Sequence, residues 1–282
     1  MKKKLLFIHG RGPQPDADGL RKLLLQAIKI GVGREAPKQL AQLDNLQTEL
    51  FYFADRNQQQ IDRANTQHLR QQQEVLALLA EREKRRDFRR RHYDELPGKS
   101  ALGEFAMDLA ASAGLGGMAM RKVAPALEQY WHDDNFANTL NLDLQSWLLE
   151  NVRSADKILL VSHCVGSVFV YDCLAQSQLQ LGTWITLGSP LANQSVRRKL
   201  KKDFTSKVDS WLNFSAEDDV MCHDKTMADD FAYLVKDESI LSIVDHTIYN
   251  LAQIEERSEP SHWAGYVVHP LVIDQIVNWL AD

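Results

Sequence analysis

One stretch constrains this chain more than any other: Lys157-Ile158-Leu159-Leu160-Val161-Ser162-His163-Cys164-Val165-Gly166-Ser167. An apolar run of strand character stops abruptly, and a nucleophilic residue and a glycine follow. A second apolar set (Val168, Phe169, Val170, Tyr171, Cys173, Leu174) then suits a helix face. Strand, sharp turn with a nucleophile at its tip, helix: this is the geometry of a nucleophile elbow, usually written Gly-x-Ser-x-Gly. Here Ser162 stands at the first glycine, Cys164 at the serine, and Gly166 is retained. Such a turn crowds its flanks, so small residues are needed there, and Ser162 is small enough. The thiol of Cys164 would sit at a helix N-terminus, where the dipole favours a thiolate. The structural alternative is an ordinary core cysteine between a strand and a helix, since cysteine is among the most buried residue types.

Before the elbow, residues 5–8 form a short buried strand broken by His9-Gly10-Arg11-Gly12-Pro13. A helical pattern follows with Leu20, Leu23, Leu24, Ala27 and Ile28 on one side, and Gly31 and Gly33 are expected to end it. Residues 48–55 read as a second strand ending in an acid. Strand, loop, helix, strand favours a parallel sheet. The character then changes. Residues 57–91 are polar and helix-favouring, Pro97-Gly98 marks a turn, and 101–130 is small and apolar. The reading is a core of residues 1–56 and 136–282, with 57–135 a mostly helical insertion. Residues 101–130 suit either a flexible apolar lid over a pocket or a helical hairpin packed on the body.

After the elbow helix, 183–187 reads as a strand closed by Gly188-Ser189-Pro190. A basic stretch follows (Arg197, Arg198, Lys199, Lys201, Lys202), then a strand at 210–214 with its exit loop Ser215-Ala216-Glu217-Asp218-Asp219-Val220. Residues 221–245 show no single period. Ser261-His262-Trp263 precedes a final amphipathic helix from Pro270 to Leu280, with Leu271, Ile273, Ile276, Val277 and Leu280 inward.

Composition narrows the function classes. With 282 residues the chain holds one large α/β domain or a domain with an insertion. A net charge of −5 gives no reason to expect nucleic acid as a partner. Three cysteines, with no Cys-x-x-Cys, make no disulfide framework and fit a reducing compartment, the cytoplasm. The lysine-rich start lacks the apolar core of a signal peptide, and no run approaches the length of a membrane span. The Lys84–Arg91 run reads as a solvated helix face, or as a contact for an anionic lipid headgroup or acyl-carrier protein. Cys222-His223-Asp224 lacks a second ligand cluster, so no metal is expected.

In an open parallel sheet, sites gather at the carboxyl ends of the strands. The first strand delivers His9-Gly10-Arg11, the elbow strand Cys164, and a later strand Asp218 or Asp219. His262 sits before the terminal helices. Nucleophile, acid, histidine is the chain order of a hydrolytic triad on a sheet of this kind. An imidazole can take the thiol proton, and a carboxylate fixes the imidazole tautomer. Two backbone N–H groups must bind the developing oxyanion; the candidates are Val165, after the nucleophile, and Arg11.

With Ile8–Gly12 reading IHGRG and Leu187–Ala192 reading LGSPLA, the chain resembles the α/β-hydrolase superfamily, in particular its lipase-like and esterase-like bacterial members. The resemblance covers about the first 55 residues and about 136–282, and leaves out the insertion. It implies an α/β-hydrolase fold, a mostly parallel sheet flanked by helices, with a helical cap. Carried over by position, Cys164 is the nucleophile and His262 the base. Asp218 is the acid, from the Asp-x-Val pattern, with Asp219 the alternate. His9, Gly10 and His163 support the pocket, His9 by holding the oxyanion loop through its ring and His163 by lining the pocket or by hydrogen-bonded packing. His269, before Pro270, suits a structural role better. The departure from the pattern is Cys for Ser, which dienelactone hydrolases resemble.

The expected function is hydrolysis of an ester or thioester with an apolar acyl part, through an acyl-enzyme on Cys164, with no cofactor. The partner is a small-molecule acyl substrate. The alternatives are a non-catalytic binding or scaffold protein on the same fold, and an acyltransferase using the same triad. The oligomeric state is not legible in the sequence.

Overall fold

A computed structural model describes residues 2–10, 15–56, 73–77, 124–217, 219–254, 257–258 and 261–282. Residues 57–72 and 78–123, most of the expected insertion and including the Lys84–Arg91 run, lie outside the described residues, as do Arg11 and Asp218.

Six strands form one sheet: β1 (Lys3–Ile8), β2 (Gln47–Phe51), β3 (Lys157–His163), β4 (Gln180–Leu187), β5 (Lys207–Ala216) and β6 (Ile240–Ile248), in the order β2-β1-β3-β4-β5-β6. Every neighbouring pair is parallel. A parallel sheet must be covered on both faces, and so its central strands are apolar runs rather than alternations. β1 is buried from Leu5 to Ile8, and β3 from Ile158 to His163.

The two faces carry separate cores. Leu6, Ile8, Leu160, Trp184 and Trp211 point to one face. It is covered by α3 (Pro125–His132), α4 (Asp134–Arg153) and α5 (Val165–Ala175). Leu5, Phe7, Leu159, Val161, Ile185 and Phe214 point to the other. It is covered by α1 (Ala17–Glu35), α8 (Trp263–Val267) and α9 (Pro270–Ala281). The short helices α2 (Leu40–Leu43), α6 (Gln194–Arg197) and α7 (Ala232–Lys236) sit in connections. Residues Gln253–Ile254 and Arg257–Ser258 make a small antiparallel ribbon.

Helix ends follow local chemistry. Asp16 caps α1 by accepting from the Gly19 N–H at 2.6 Å, and Asp133 caps α4 by accepting from the Phe136 N–H at 3.1 Å. Lys3 Nζ donates to the carbonyls of Trp279 and Leu280, at 3.2 and 2.6 Å, at the end of α9. A cation there meets the negative end of the helix dipole.

Two local expectations change. α1 does not stop at Gly31 and Gly33 but runs to Glu35. Gly31 is instead a contact point: a Cβ on it would lie 2.4 Å from Ile273 Cδ1, so glycine lets α1 approach α9. The stretch without a clear period at 221–245 contains most of the edge strand β6. Its pattern is blurred because an edge strand need bury only part of itself, and Leu241 and Val244 face outward.

The chain lays down β2 on one side of β1 and then β3 on the other, so the order reverses between β1 and β3. In an open α/β sheet ligands bind in the crevice beyond the strand ends at such a reversal. The loops after β1 and β3, bearing His9-Gly10 and Cys164, meet there.

Candidate active site

Cys164 is the residue between β3 and α5, with φ 51° and ψ −127°. A side chain with positive φ outside the left-handed helical well is strained by about 1–3 kcal/mol and persists only when the surroundings over-determine it. Those surroundings are in place. The Cys164 N–H extends the sheet ladder to the Leu187 carbonyl at 2.9 Å, and its carbonyl accepts from the Ser167 N–H at 3.0 Å and from Ser167 Oγ at 2.5 Å. Ser167 Oγ also lies 2.6 Å from Ser189 Oγ, tying the elbow to the Gly-Ser-Pro turn after β4.

Two glycines let the loop after β1 close on the elbow. A Cβ on Gly166 would stand 2.4 Å from the His9 carbonyl oxygen and 2.8 Å from Ile8 Cγ2. A Cβ on Gly10 would stand 2.3 Å from His163 Nδ1 and 2.7 Å from Cys164 Cβ. Neither position can carry a side chain without movement, so the backbone after β1 packs directly beside the nucleophile candidate. Val165 is the first residue of α5, and the first N–H groups of a helix have no partner within it.

His9 fastens this loop. Its Nδ1–H donates to the Gly10 carbonyl at 2.8 Å, and its Nε2 accepts from the Phe53 N–H at 3.0 Å. The ring stacks on Phe53 at 3.8 Å. Burial lowers its pKa to about 4, so the ring is neutral at physiological pH, as its acceptor role requires. Ser162, in place of the usual glycine, accepts from Trp184 Nε1–H at 2.9 Å. Trp184 in turn stacks on Trp211 at 4.5 Å. The serine is thus part of a buried polar pairing on the sheet face.

The histidine and acid side is arranged differently. His262 is the N-cap of α8: its Nδ1 accepts from the Ala264 N–H at 3.2 Å, and its ring stacks on Trp263. Its buried Nε2 has no hydrogen-bond partner among the described residues. Burial lowers its pKa to about 4. His262 and Cys164 share no hydrogen bond among the described residues, but their neighbours bring the two loops together. His163 Nε2 donates to the Ser261 carbonyl at 3.0 Å, and Asn250 Nδ2 to the His262 carbonyl at 2.8 Å.

Asp219 is buried after β5. Its Oδ1 accepts from the Met221 N–H at 2.9 Å and its Oδ2 from the Tyr266 hydroxyl at 2.7 Å. Tyr266 OH also accepts from the Ala216 N–H at 2.9 Å, and burial raises its pKa well above the usual phenol value. Gly188, at φ 55°, leaves room for this pair: a Cβ there would meet Asp219 Oδ2 at 2.6 Å. Beneath them Lys225 Nζ donates to the Ala216 carbonyl at 2.6 Å, and burial pushes the Cys222 thiol up to about 12.

The sequence reading gives Tyr266 and Ser167 no role of their own, and Gly188 and Ser189 only the close of a strand. Tyr266 lies four residues after His262, one helical turn on, and that spacing is the signal for it. His269 caps α9 through Nδ1, accepting from the Leu271 N–H at 3.3 Å, as its place before Pro270 suggested. Among the described residues no group of three or more His, Cys, Asp or Glu side chains is placed to hold a metal, and no helix is long and apolar enough to cross a membrane.

Comparison of the chain with protein-family models, with curated proteins and with solved structures finds no match.

Proposed function

We propose that the protein is an α/β-hydrolase that cleaves an ester or thioester by acyl transfer through Cys164. The observation that carries this reading is the backbone of Cys164. A β-strand, a single residue at φ 51° and ψ −127°, and a helix hold a thiol at the point where strand order reverses. An unneeded cysteine in a core does not call for a strained backbone. The reading is supported by the sheet order, by two glycines that seat the loop after β1 against the elbow, and by the placing of the histidine loop next to His163.

In this mechanism the Cys164 thiolate attacks the acyl carbon. The N–H groups of Val165 and Arg11 receive the oxyanion, and His262 takes the thiol proton and returns it to the leaving group; water, giving its proton to His262, then attacks the acyl carbon, and the acid leaves as the proton returns to the Cys164 sulfur. The base must be a neutral imidazole, which the lowered pKa of His262 provides. It must also leave Nε2 unprotonated. With Nδ1 accepting from Ala264, the ring proton is on Nε2, so catalysis requires Nδ1 to exchange that cap for a carboxylate. Asp218 fills that role by its Asp-x-Val position. Asp219, already bound to Tyr266 and Met221, buttresses the corner. Asp218→Asn is then expected to reduce turnover with little change in thermal midpoint, and Asp219→Asn to lower the midpoint. Comparable effects of the two on both readouts would remove the assignment.

Intact-mass analysis after mixing with an acyl thioester tests the chemistry. The expected result is a single acyl adduct, absent in Cys164→Ala and slow to form in His262→Ala. A wild-type chain that never acquires the adduct would sink the proposal.

A second reading is favoured by specific observations. Cys164 is fully buried, and the Nδ1 of His262 is occupied by a structural bond. These fit a non-catalytic binding protein on the same fold, for which no thioester or ester would be consumed. An acyltransferase would use the same adduct and is separated from a hydrolase by product analysis with alcohol or amine acceptors.

A further inference from the structure

Five of the six residues from Arg197 to Lys202 are basic, in a chain of net charge −5. A charge run is ordinarily a solvated face, but this one is fixed in shape. Arg197 is ion-paired with Asp230, Lys199 lies 4.0 Å from the centre of the Trp131 ring, and Leu200 is buried in the core between them. The anchoring leaves Arg198, Lys201 and Lys202 exposed, with no ion pair among the described residues.

These three cations line a concave site of about 520 Å³ that Phe231 and Tyr233 also line. Phe231 is fully buried. Tyr233 is 42% exposed, and its hydroxyl is held 2.8 Å from that of Tyr171. The volume falls in the range of small-ligand pockets. A cleft lined by one sign of charge with apolar walls concentrates the field on a counter-ion. Guanidinium and ammonium groups together satisfy the oxygens of a phosphate, and a half-exposed aromatic ring offers a face for a planar group.

We propose that this groove, between the 197–202 run and α7, binds a small phosphomonoester that carries a planar ring, independently of any chemistry at Cys164. A flat membrane surface would not use the buried Phe231 that lines the groove. The same phosphate chemistry could be presented by an anionic lipid, so the test includes it as a separate arm.

The experiment is isothermal titration of the full chain with phenyl phosphate, with inorganic phosphate, and flotation with vesicles containing phosphatidate. The expected result is saturable binding of phenyl phosphate, weaker binding of inorganic phosphate, and a loss of about tenfold or more in R198A/K202A, as two charge-assisted contacts are removed. Tyr233→Ala should weaken phenyl phosphate but not inorganic phosphate. Both variants alter exposed side chains, and an unchanged thermal midpoint checks that they fold. No saturable binding by the wild type, equal binding by R198A/K202A, or binding confined to the vesicles would overturn the proposal. Cys164→Ala should bind phenyl phosphate as the wild type does.

Discussion

The two halves of the candidate site differ in how far they are committed. Around Cys164, everything points one way: strained backbone, close-packed glycines and the Ser167–Ser189 tie all serve to hold one thiol at a strand end. Around His262 and Asp219, each side chain is spent on architecture. The imidazole caps its own helix, and the carboxylate receives a tyrosine hydroxyl and a backbone N–H. The contrast shows that an elbow is preset by backbone and is therefore local. A proton relay depends on side-chain torsions from loops far apart in sequence, and it can be engaged or released without changing the fold.

The largest expected effect comes from acid, and it acts on both halves. His9 beside the elbow and His262 in the other half are each held at about 4, and His269 at the start of α9 at about 3, against 6.5 for an unperturbed histidine, all chiefly through burial. The unfolded chain therefore binds more protons than the folded one below pH 6.5. Stability is full above that value and is lost as pH falls toward 4, by about 1.4 kcal/mol per pH unit for each histidine. Urea midpoints measured across this window should fall steeply. A flat profile would show that these rings are not buried as neutral species.

Next in size is Gly166→Ala. A methyl group 2.4 Å from the His9 carbonyl forces the loop after β1 away from the elbow, at a cost of about 3 kcal/mol, the upper end for overpacking. A fall in thermal midpoint together with loss of acyl transfer would tie the elbow half to this contact. An unchanged midpoint would break the account of it.

Tyr266→Phe probes the other half. It leaves the Ala216 N–H and one Asp219 oxygen short of a partner, for about 2 kcal/mol. No hydrogen bond joins Tyr266 to Cys164 among the described residues, so the rate at which Cys164 acquires the acyl adduct, measured well below the thermal midpoint, should stay at the wild-type value. A large change in that rate would mean that the two halves are coupled more tightly than their bonds suggest. The smallest effect is Ser162→Ala, which removes the acceptor of Trp184 Nε1–H and costs about 1 kcal/mol in urea stability.

What could be read from the sequence divides along the same line. Short-range patterns survive: β1, β3, β4, β5, the Cys164 turn and α9 are each carried by a contiguous apolar run or period. Gly31 misled because a glycine needed for contact with Ile273 looks, in one dimension, like a helix stop. β6 was obscured because an edge strand mixes exposed apolar residues with Ser242, Asp245 and His246. Asp245 shows the reason for one of these: its carboxylate accepts from Asn213 Nδ2 at 2.8 Å and from the N–H groups of Met227 and Ala228, a fastening that no local period announces. The capping bond of His262 was equally illegible, since the same residue type at the same place serves either a cap or a relay.

The most direct test of the central claim is the initial rate on nitrophenyl esters and acyl thioesters of rising chain length, for the wild type, Cys164→Ser and Cys164→Ala. Cysteine catalysis predicts turnover by the wild type that disappears in Cys164→Ala, with a chain-length optimum that reports the pocket. Turnover unchanged in Cys164→Ala would contradict the elbow assignment, and an inactive wild type that gains activity as Cys164→Ser would mark a hydrolase fold used for binding.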